Sequence, residues 1–185
     1  ADDFIAAMTA RTEAMRVGDP MASDIQMGAL ISKRHLAKVL DYVKIGVDEG
    51  ATIATGGNAL QPQGFENGYF MQPTILTNCH DDMRVVREEI FGPCCHIRPF
   101  DSEEEVIALA NNTDYGLCAS VWTENSARAS RVPEALEVGL VWVNSWFLRD
   151  LRTAFGGAKQ SGIGREGGVH GLEFYSELKN VSIKL

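Results

Sequence analysis

Between Cys94 and Val143 short apolar runs of strand length alternate with stretches of helical spacing. Cys94 to Phe100 reads as a strand. Ser102 and Glu105 match a capping box, and Val106, Ile107, Leu109 and Ala110 continue the helix it would start. Asn111-Asn112 and Asp114-Tyr115-Gly116 turn the chain, and Leu117 to Trp122 is apolar and extended, a central strand. Asn125 to Leu136 reads as a helix with Ala127, Val132 and Leu136 inward, and Gly139 to Val143 as the next strand. Parallel strands cannot be joined by a tight turn and need a crossover, usually helical. The βαβαβ order therefore predicts an α/β fold with a mostly parallel sheet and helices across it.

The rest of the chain is read against that centre. Residues 3 to 17 are helical in spacing (Phe4, Ile5, Met8, Met15, Val17) and stop at Gly18-Asp19-Pro20. Ser32 is placed to cap a helix whose stripe is Leu36, Val39, Leu40, Val43 and Val47. Gly50 ends it. Ala51 to Thr55 reads as a strand, residues 58 to 68 as an exposed excursion, and Tyr69 to Asn78 as a second extended piece, an edge or a strand start because of Pro73. Met83 to Glu89 fits helix or strand equally. Gly171 to Tyr175 reads as one or two helical turns. Leu178, Val181, Ile183 and Leu185 include a two-residue alternation and read as a terminal strand that must join a sheet in this subunit or a neighbour.

Charge and cysteine usage narrow the function. The chain carries 17 basic and 25 acidic residues, a net charge of -8, with no Lys or Arg run, so nucleic acid is not an expected partner. Asp101 to Glu105 reads as a solvated helix start. Neither a signal peptide nor a long apolar run is present, which indicates neither export nor membrane insertion. Cys79, Cys94, Cys95 and Cys118 form no CxxC pair. They read as free, buried thiols in a reducing cytoplasm, not as a metal site. None has a local His, Asp or glycine context that would activate it as a nucleophile.

Two segments carry groups suited to a ligand. In Glu88-Glu89-Ile90-Phe91-Gly92-Pro93 a carboxylate could accept hydrogen bonds from neighbouring sugar hydroxyls, and an aromatic ring could pack on a flat ring; a buried turn with a surface acid is the plainer alternative. After Asn144, Arg149 and Arg152 sit three apart amid Trp146, Phe147, Leu148, Leu151 and Phe155. An apolar surround strengthens a bidentate arginine–carboxylate contact, so this segment suits a small acid with a hydrophobic body. The alternative is that both arginines face solvent or pair with Asp150 and glutamates. His35 and Lys38, three apart, share a side of their helix, as ligand groups or as ordinary surface. No GxGxxG opens a βαβ unit, so no self-contained active site is visible.

EEIFGP at 88–93, NNTDYGL at 111–117, GLVWVN at 139–144, FGGAKQSGIGRE at 155–166 and the terminal YSELKNVSIKL resemble the aldehyde dehydrogenase superfamily, in the family's order and spacing. The resemblance covers essentially the whole chain. WFLRDLR ahead of FGG resembles a narrower group that oxidises muconic semialdehydes, the hydroxy form over the amino form. The resemblance implies a three-layer catalytic domain, incomplete at its N-terminal side, over residues 1–170, and an oligomerisation segment with its strand over 171–185. The chain lacks an initiator Met and opens inside a helix, which suggests processing or a piece of a larger protein. The implied nucleophilic Cys, general-base Glu, oxyanion Asn and cofactor Lys would all precede Ala1. A truncated, non-enzymatic assembly module of the same fold is the competing reading.

Several roles follow from the resemblance alone. Glu89 resembles the residue that binds the nicotinamide ribose hydroxyls of NAD, and Phe91 the aromatic lining the nicotinamide site. His35 and Lys38 align with positions near cofactor hydroxyls. Asn144 resembles a structural Asn that ends the core strand and steadies the active-site loops. Phe155 resembles the ring at the aldehyde tunnel, Arg149 resembles the arginine gripping the substrate carboxylate, and Trp146 and Arg152 are further substrate-binding candidates. Ala154 departs from the family, where proline is common. The implied whole enzyme takes a semialdehyde, uses NAD, binds no metal at its site, is cytoplasmic, and forms a homodimer or homotetramer through the C-terminal strand.

Overall fold

Six helices and nine strands follow one another along residues 1–185, all of which the computed structural model describes. They fall into two compact units, Ala1–Pro99 and Phe100–Leu185.

In the first unit, α1 (Asp2–Glu13) places Asp2 and Asp3 in its first turn and Arg11 in its last, the charge order that suits the helix dipole. It stops four residues short of the expected Val17, because Val17 instead bridges Met27 in parallel and draws the chain out of the helix. The second helix, α2 (Lys33–Asp48), is capped as expected: the Ser32 side chain accepts from the His35 backbone N–H at 3.1 Å. Its Val39 and Val43 are buried, and Gly46 lets it approach the chain closely, since a Cβ there would meet Val85 Cγ1 at 2.9 Å.

The strands of this unit are β1 (Thr52–Thr55), β2 (Ala59–Leu60), β3 (Phe70–Met71), β4 (Thr74–Thr77) and β5 (Cys94–His96). The expected single piece from Tyr69 to Asn78 is divided at Pro73. Before it, β3 pairs antiparallel with β2; after it, β4 sits centrally, antiparallel to β1 and parallel to β5. Proline cannot donate to a ladder, so the changeover falls where a donor is missing. The ambiguous segment at 83–89 resolves as a short helix, α3 (Arg84–Arg87). Val39, Met71, Leu76, Met83, Val85 and Ile90 meet in one buried core, with Leu36 and Tyr42 packed at its margin. Buried Thr74 is satisfied: its hydroxyl donates to the Gln72 carbonyl and accepts from the Gly57 N–H, each at 2.9 Å.

The second unit comprises α4 (Glu103–Asn111), β6 (Tyr115–Gly116), β7 (Cys118–Val121), α5 (Ser126–Ala135), β8 (Leu140–Val143), β9 (Ala158–Lys159) and α6 (Gly168–Phe174). Ser102 caps α4 by accepting from the Glu105 N–H, but Glu105 reaches back to the Asp101 N–H, one residue beyond a true capping box. The predicted crossover is present. β7 and β8 run parallel in continuous register from Cys118↔Leu140 to Val121↔Val143, with α5 between them in sequence. The glycine-rich stretch returns as β9, antiparallel to β6.

One expectation needs correction. Among the strands, parallel pairing is confined to β4/β5 and β7/β8, while β1/β4, β2/β3 and β6/β9 are antiparallel, so the strand pairing of this α/β fold is mixed. No helix lies between β2 and β3 or between β1 and β4, and without a crossover helix these strands return antiparallel; β9 reaches β6 only after β7, α5 and β8. Leu178 to Leu185, expected to join a sheet in this subunit or a neighbour, makes no ladder within this chain and is exposed throughout. Its backbone has no strand to pair with in this chain.

Candidate active site

The loop leaving α3 holds the first group of candidates. Glu88 and Glu89 are adjacent but have opposite fates. Glu88 accepts from Arg84 Nε at 2.7 Å and from the Tyr42 hydroxyl at 2.5 Å. Those contacts, Arg84 first and then Tyr42, hold its carboxyl at about 2, and the same hydrogen bond raises the Tyr42 phenol above its ordinary value. Glu89 has no such partner: only its backbone carbonyl is touched, by Lys38 Nζ at 3.4 Å, and its carboxylate is free and exposed. One acid locks the loop and the next stays uncommitted.

Phe91 then adopts φ 56°, unusual for a bulky residue. His35 holds it there. Its Nε2–H donates to the Phe91 carbonyl at 2.7 Å, and the two rings meet edge to face at 6.3 Å. Gly92 follows because Val39 fills the space beside it; a Cβ would lie 2.6 Å from Val39 Cγ2. The Phe91 ring, 75% exposed, ends up beside an open groove lined by Leu30, Ile31, His35 and Pro93. His35, Lys38, Glu89 and Phe91 are thus gathered on one face of this unit.

The second group lies after β8. Asn144, at φ 51°, occupies the left-handed region that asparagine tolerates best among non-glycine residues. Its side-chain oxygen accepts from the Thr123 N–H and its amide donates to the Thr123 carbonyl, both at 2.8 Å. The amide acts as a peptide unit that ties the ends of β7 and β8 together. Trp142 Nε1–H donates to the Leu148 carbonyl at 2.8 Å, and Trp146 packs on the Trp142 ring at 5.3 Å. Trp146 therefore serves the loop's own packing.

The two arginines separate. Arg152 turns back on Asp150, with Nη2 at 2.5 Å from Oδ2, and stays 88% exposed. Arg149 lies with its guanidinium carbon 4.2 Å from the centre of the Phe155 ring, and its Nη2 donates to Glu166 Oε1 at 2.7 Å. Phe155 and Glu166 are themselves an antiparallel bridge, exchanging backbone hydrogen bonds of 2.8 and 2.7 Å. Phe155 also lines a cleft of about 430 Å³ with Leu117, Ile163, Arg165, Phe174 and Tyr175.

Residues 1–181 match the aldehyde dehydrogenase family. The chain belongs to this family. It is 59% identical over all 185 residues to the 2-hydroxymuconic semialdehyde dehydrogenase of Pseudomonas sp. (strain CF600), 38% of whose length it spans. It is 54% identical, again over 185 residues and 38% of the relative, to the 2-aminomuconic 6-semialdehyde dehydrogenase of a Pseudomonas species. Among solved structures, the NAD+ complex of an aldehyde dehydrogenase from Bacillus cereus superposes with a TM-score of 0.91 at 43% identity, covering 96% of this chain and 35% of that one.

In this aldehyde dehydrogenase chain every cysteine is held as a thiol. The expectation of buried thiols holds for Cys79 alone: Cys94 and Cys118 are half-buried and Cys95 is exposed, yet partial desolvation still pushes Cys79, Cys95 and Cys118 up, and Cys94 up to about 11. No helix is long and apolar enough to cross a membrane. The sequence reading missed Tyr42 and Glu166. Tyr42 lies four residues after Lys38 on α2, so helical spacing held the signal. Glu166 reaches Arg149 across 17 residues, and no local pattern announces it.

Proposed function

We propose that this chain is part of an NAD-dependent aldehyde dehydrogenase that oxidises a carboxylate-bearing semialdehyde of the 2-hydroxymuconic type. Its identity to semialdehyde dehydrogenases at 54–59% supports that reading. The observation that carries it is Arg149, held over an aromatic ring with donors to spare, as a grip for an acid requires. In the whole enzyme the nucleophilic Cys and the general-base Glu come from residues outside these 185. Residues 1–170 supply most of the catalytic domain, and 171–185 the segment whose strand joins a partner subunit in a homodimer or homotetramer. The enzyme works in the cytoplasm on a small molecule.

The cofactor groups fit NAD on their own chemistry. Glu89 offers an uncommitted carboxylate, which suits two adjacent ribose hydroxyls. Lys38 stands beside the Glu89 carbonyl as a further donor, and Phe91 offers an exposed flat face. NAD supplies the hydride acceptor for aldehyde oxidation. This chain's own part is to orient. Glu89 and Lys38 hold the ribose, the His35–Phe91 pair fixes the ring that the nicotinamide lies against, and Asn144 keeps the substrate loop in one conformation. Arg149 binds the far carboxylate, and Phe155 packs the apolar carbon chain and excludes water.

The test uses the full-length enzyme. Charge-assisted hydrogen bonds are worth about 1.5–3 kcal/mol, so Arg149→Ala lowers kcat/KM for a six-carbon semialdehyde acid by roughly ten- to a hundredfold. An uncharged aldehyde of equal length loses far less. Equal losses for both would assign Arg149 to folding and end the proposal.

A further inference from the structure

The Arg149 guanidinium is restrained on two sides. Phe155 lies against its face, and Glu166 takes a hydrogen bond from Nη2. Nε and Nη1 have no partner in the chain. Glu166 is itself immobilised at its backbone, because it forms the bridge with Phe155, and the ring and the carboxylate therefore reach Arg149 from one cross-strand pair. Arg152, with no aromatic contact and its guanidinium folded onto Asp150, shows what an arginine of the same loop does without such a frame.

Resting on the reading of Arg149 as the substrate grip, we infer that Glu166 is the positioning residue that sets selectivity for aldehydes bearing a carboxylate. It holds the guanidinium at a fixed rotation over Phe155, so that the Nε and Nη1 donors face the ligand's acid without a rotamer search. Long, rotamer-rich side chains lose much of their binding free energy when they must be ordered by the ligand, and a partner that orders them beforehand removes that cost. An amide oxygen in place of the carboxylate can still accept from Nη2, and a methyl group cannot. The orienting role therefore separates from the charge.

In the full-length enzyme, the ratio of kcat/KM for adipic semialdehyde to that for hexanal is measured in wild type, Glu166→Ala, Glu166→Gln and Arg149→Ala, with the Kd of adipate by calorimetry. The expected result is a roughly tenfold fall of the ratio in Glu166→Ala, seen in KM for adipic semialdehyde and in adipate Kd. Glu166→Gln should stay within about threefold of wild type. A ratio that rises in Glu166→Ala would show that Glu166 competes with the ligand for Arg149 and overturns the inference. So would an equal loss for both substrates, which marks a general effect on turnover or folding. Arg149→Ala separates the two ideas. If it collapses the ratio while Glu166→Ala does not, only the role of Glu166 fails; if it leaves the ratio intact, the carboxylate grip itself fails.

Discussion

Eleven of the thirteen buried hydrophobic residues lie in residues 1–99; the other two are Val132 and Trp142. The second unit instead exposes Trp122, Trp146, Leu148, Leu151, Ile163, Leu172, Phe174 and the side chains of its terminal segment. The two units spend apolar residues differently. The first folds α2, α3 and the central strand β4 around a closed core, and its loop at 88–93 is braced from beneath by that core through Val39 and Gly92. The second builds its loop from hydrogen bonds and ion pairs (Asn144 to Thr123, Trp142 to Leu148, Arg149 to Glu166) and leaves much apolar surface uncovered. Rigidity of a binding loop can come from either source, and the two should respond differently to mutation.

The largest expected effect tests the closed core. Leu76 and Met71 are fully buried, so Leu76→Ala or Met71→Ala should cost about 2–5 kcal/mol. Leu172→Ala, on the exposed face of α6, should stay within about 0.5 kcal/mol in the same chain. Urea unfolding monitored by circular dichroism measures both. Similar losses at Leu76 and Leu172 would remove the distinction between the units.

A middle-sized effect probes the polar clasp. Asn144→Ala removes both side-chain bonds to Thr123 and leaves a left-handed backbone with a Cβ, and should cost about 1–3 kcal/mol. Asn144→Gly keeps the favoured φ and should recover part of the loss. If the two variants are equally unstable, the hydrogen bonds carry the whole contribution and backbone conformation carries none.

What the sequence disclosed follows the same division. Local signals were legible: Ser32 and Ser102 at their caps, the β7–α5–β8 crossover, and the turn at Gly50. The caps and the turn depend on residues within a few positions of one another, and the crossover on a run of consecutive segments, each with its own local period. Pairings set by distant partners were not legible. Pro73 signalled a strand boundary, but not that β3 and β4 would join different sheets. The i,i+4 spacing from Arg84 marks Glu88 only if the segment at 83–89 is helical, which was ambiguous, and the second partner, Tyr42, lies 46 residues away. The alternative that both arginines pair with Asp150 and glutamates is the one the structure adopts, but nothing between residues 149 and 166 announces that Glu166 is the glutamate Arg149 would find. The alternation at 178–185 was correctly seen, yet a strand exists only with a partner, and this chain offers none.

The smallest effect is a pH dependence that compares one ion-pair network from each unit. Glu88 is held at about 2 by Arg84 and Tyr42, and Glu103 at about 2 by Arg131 and Arg128, which tie α4 to α5. Both values lie below the ordinary 4.5 that the unfolded chain approaches. A carboxyl depressed in the folded state contributes stability that is fully present above its unfolded value and is lost as pH falls through the folded value. Acid should therefore weaken the chain progressively from about pH 5 to about pH 2, and Glu88→Gln or Glu103→Gln should each flatten that slope. Solvent screens both networks, so the changes are modest. The Glu103 side chain is 17% exposed against 41% for Glu88, and it answers two arginines on another helix, so Glu103→Gln should flatten the profile more. Urea midpoints measured across that pH range decide the order. A steeper residual slope in Glu103→Gln than in Glu88→Gln would mean that the core-braced unit, not the ion-paired one, depends more on its acid.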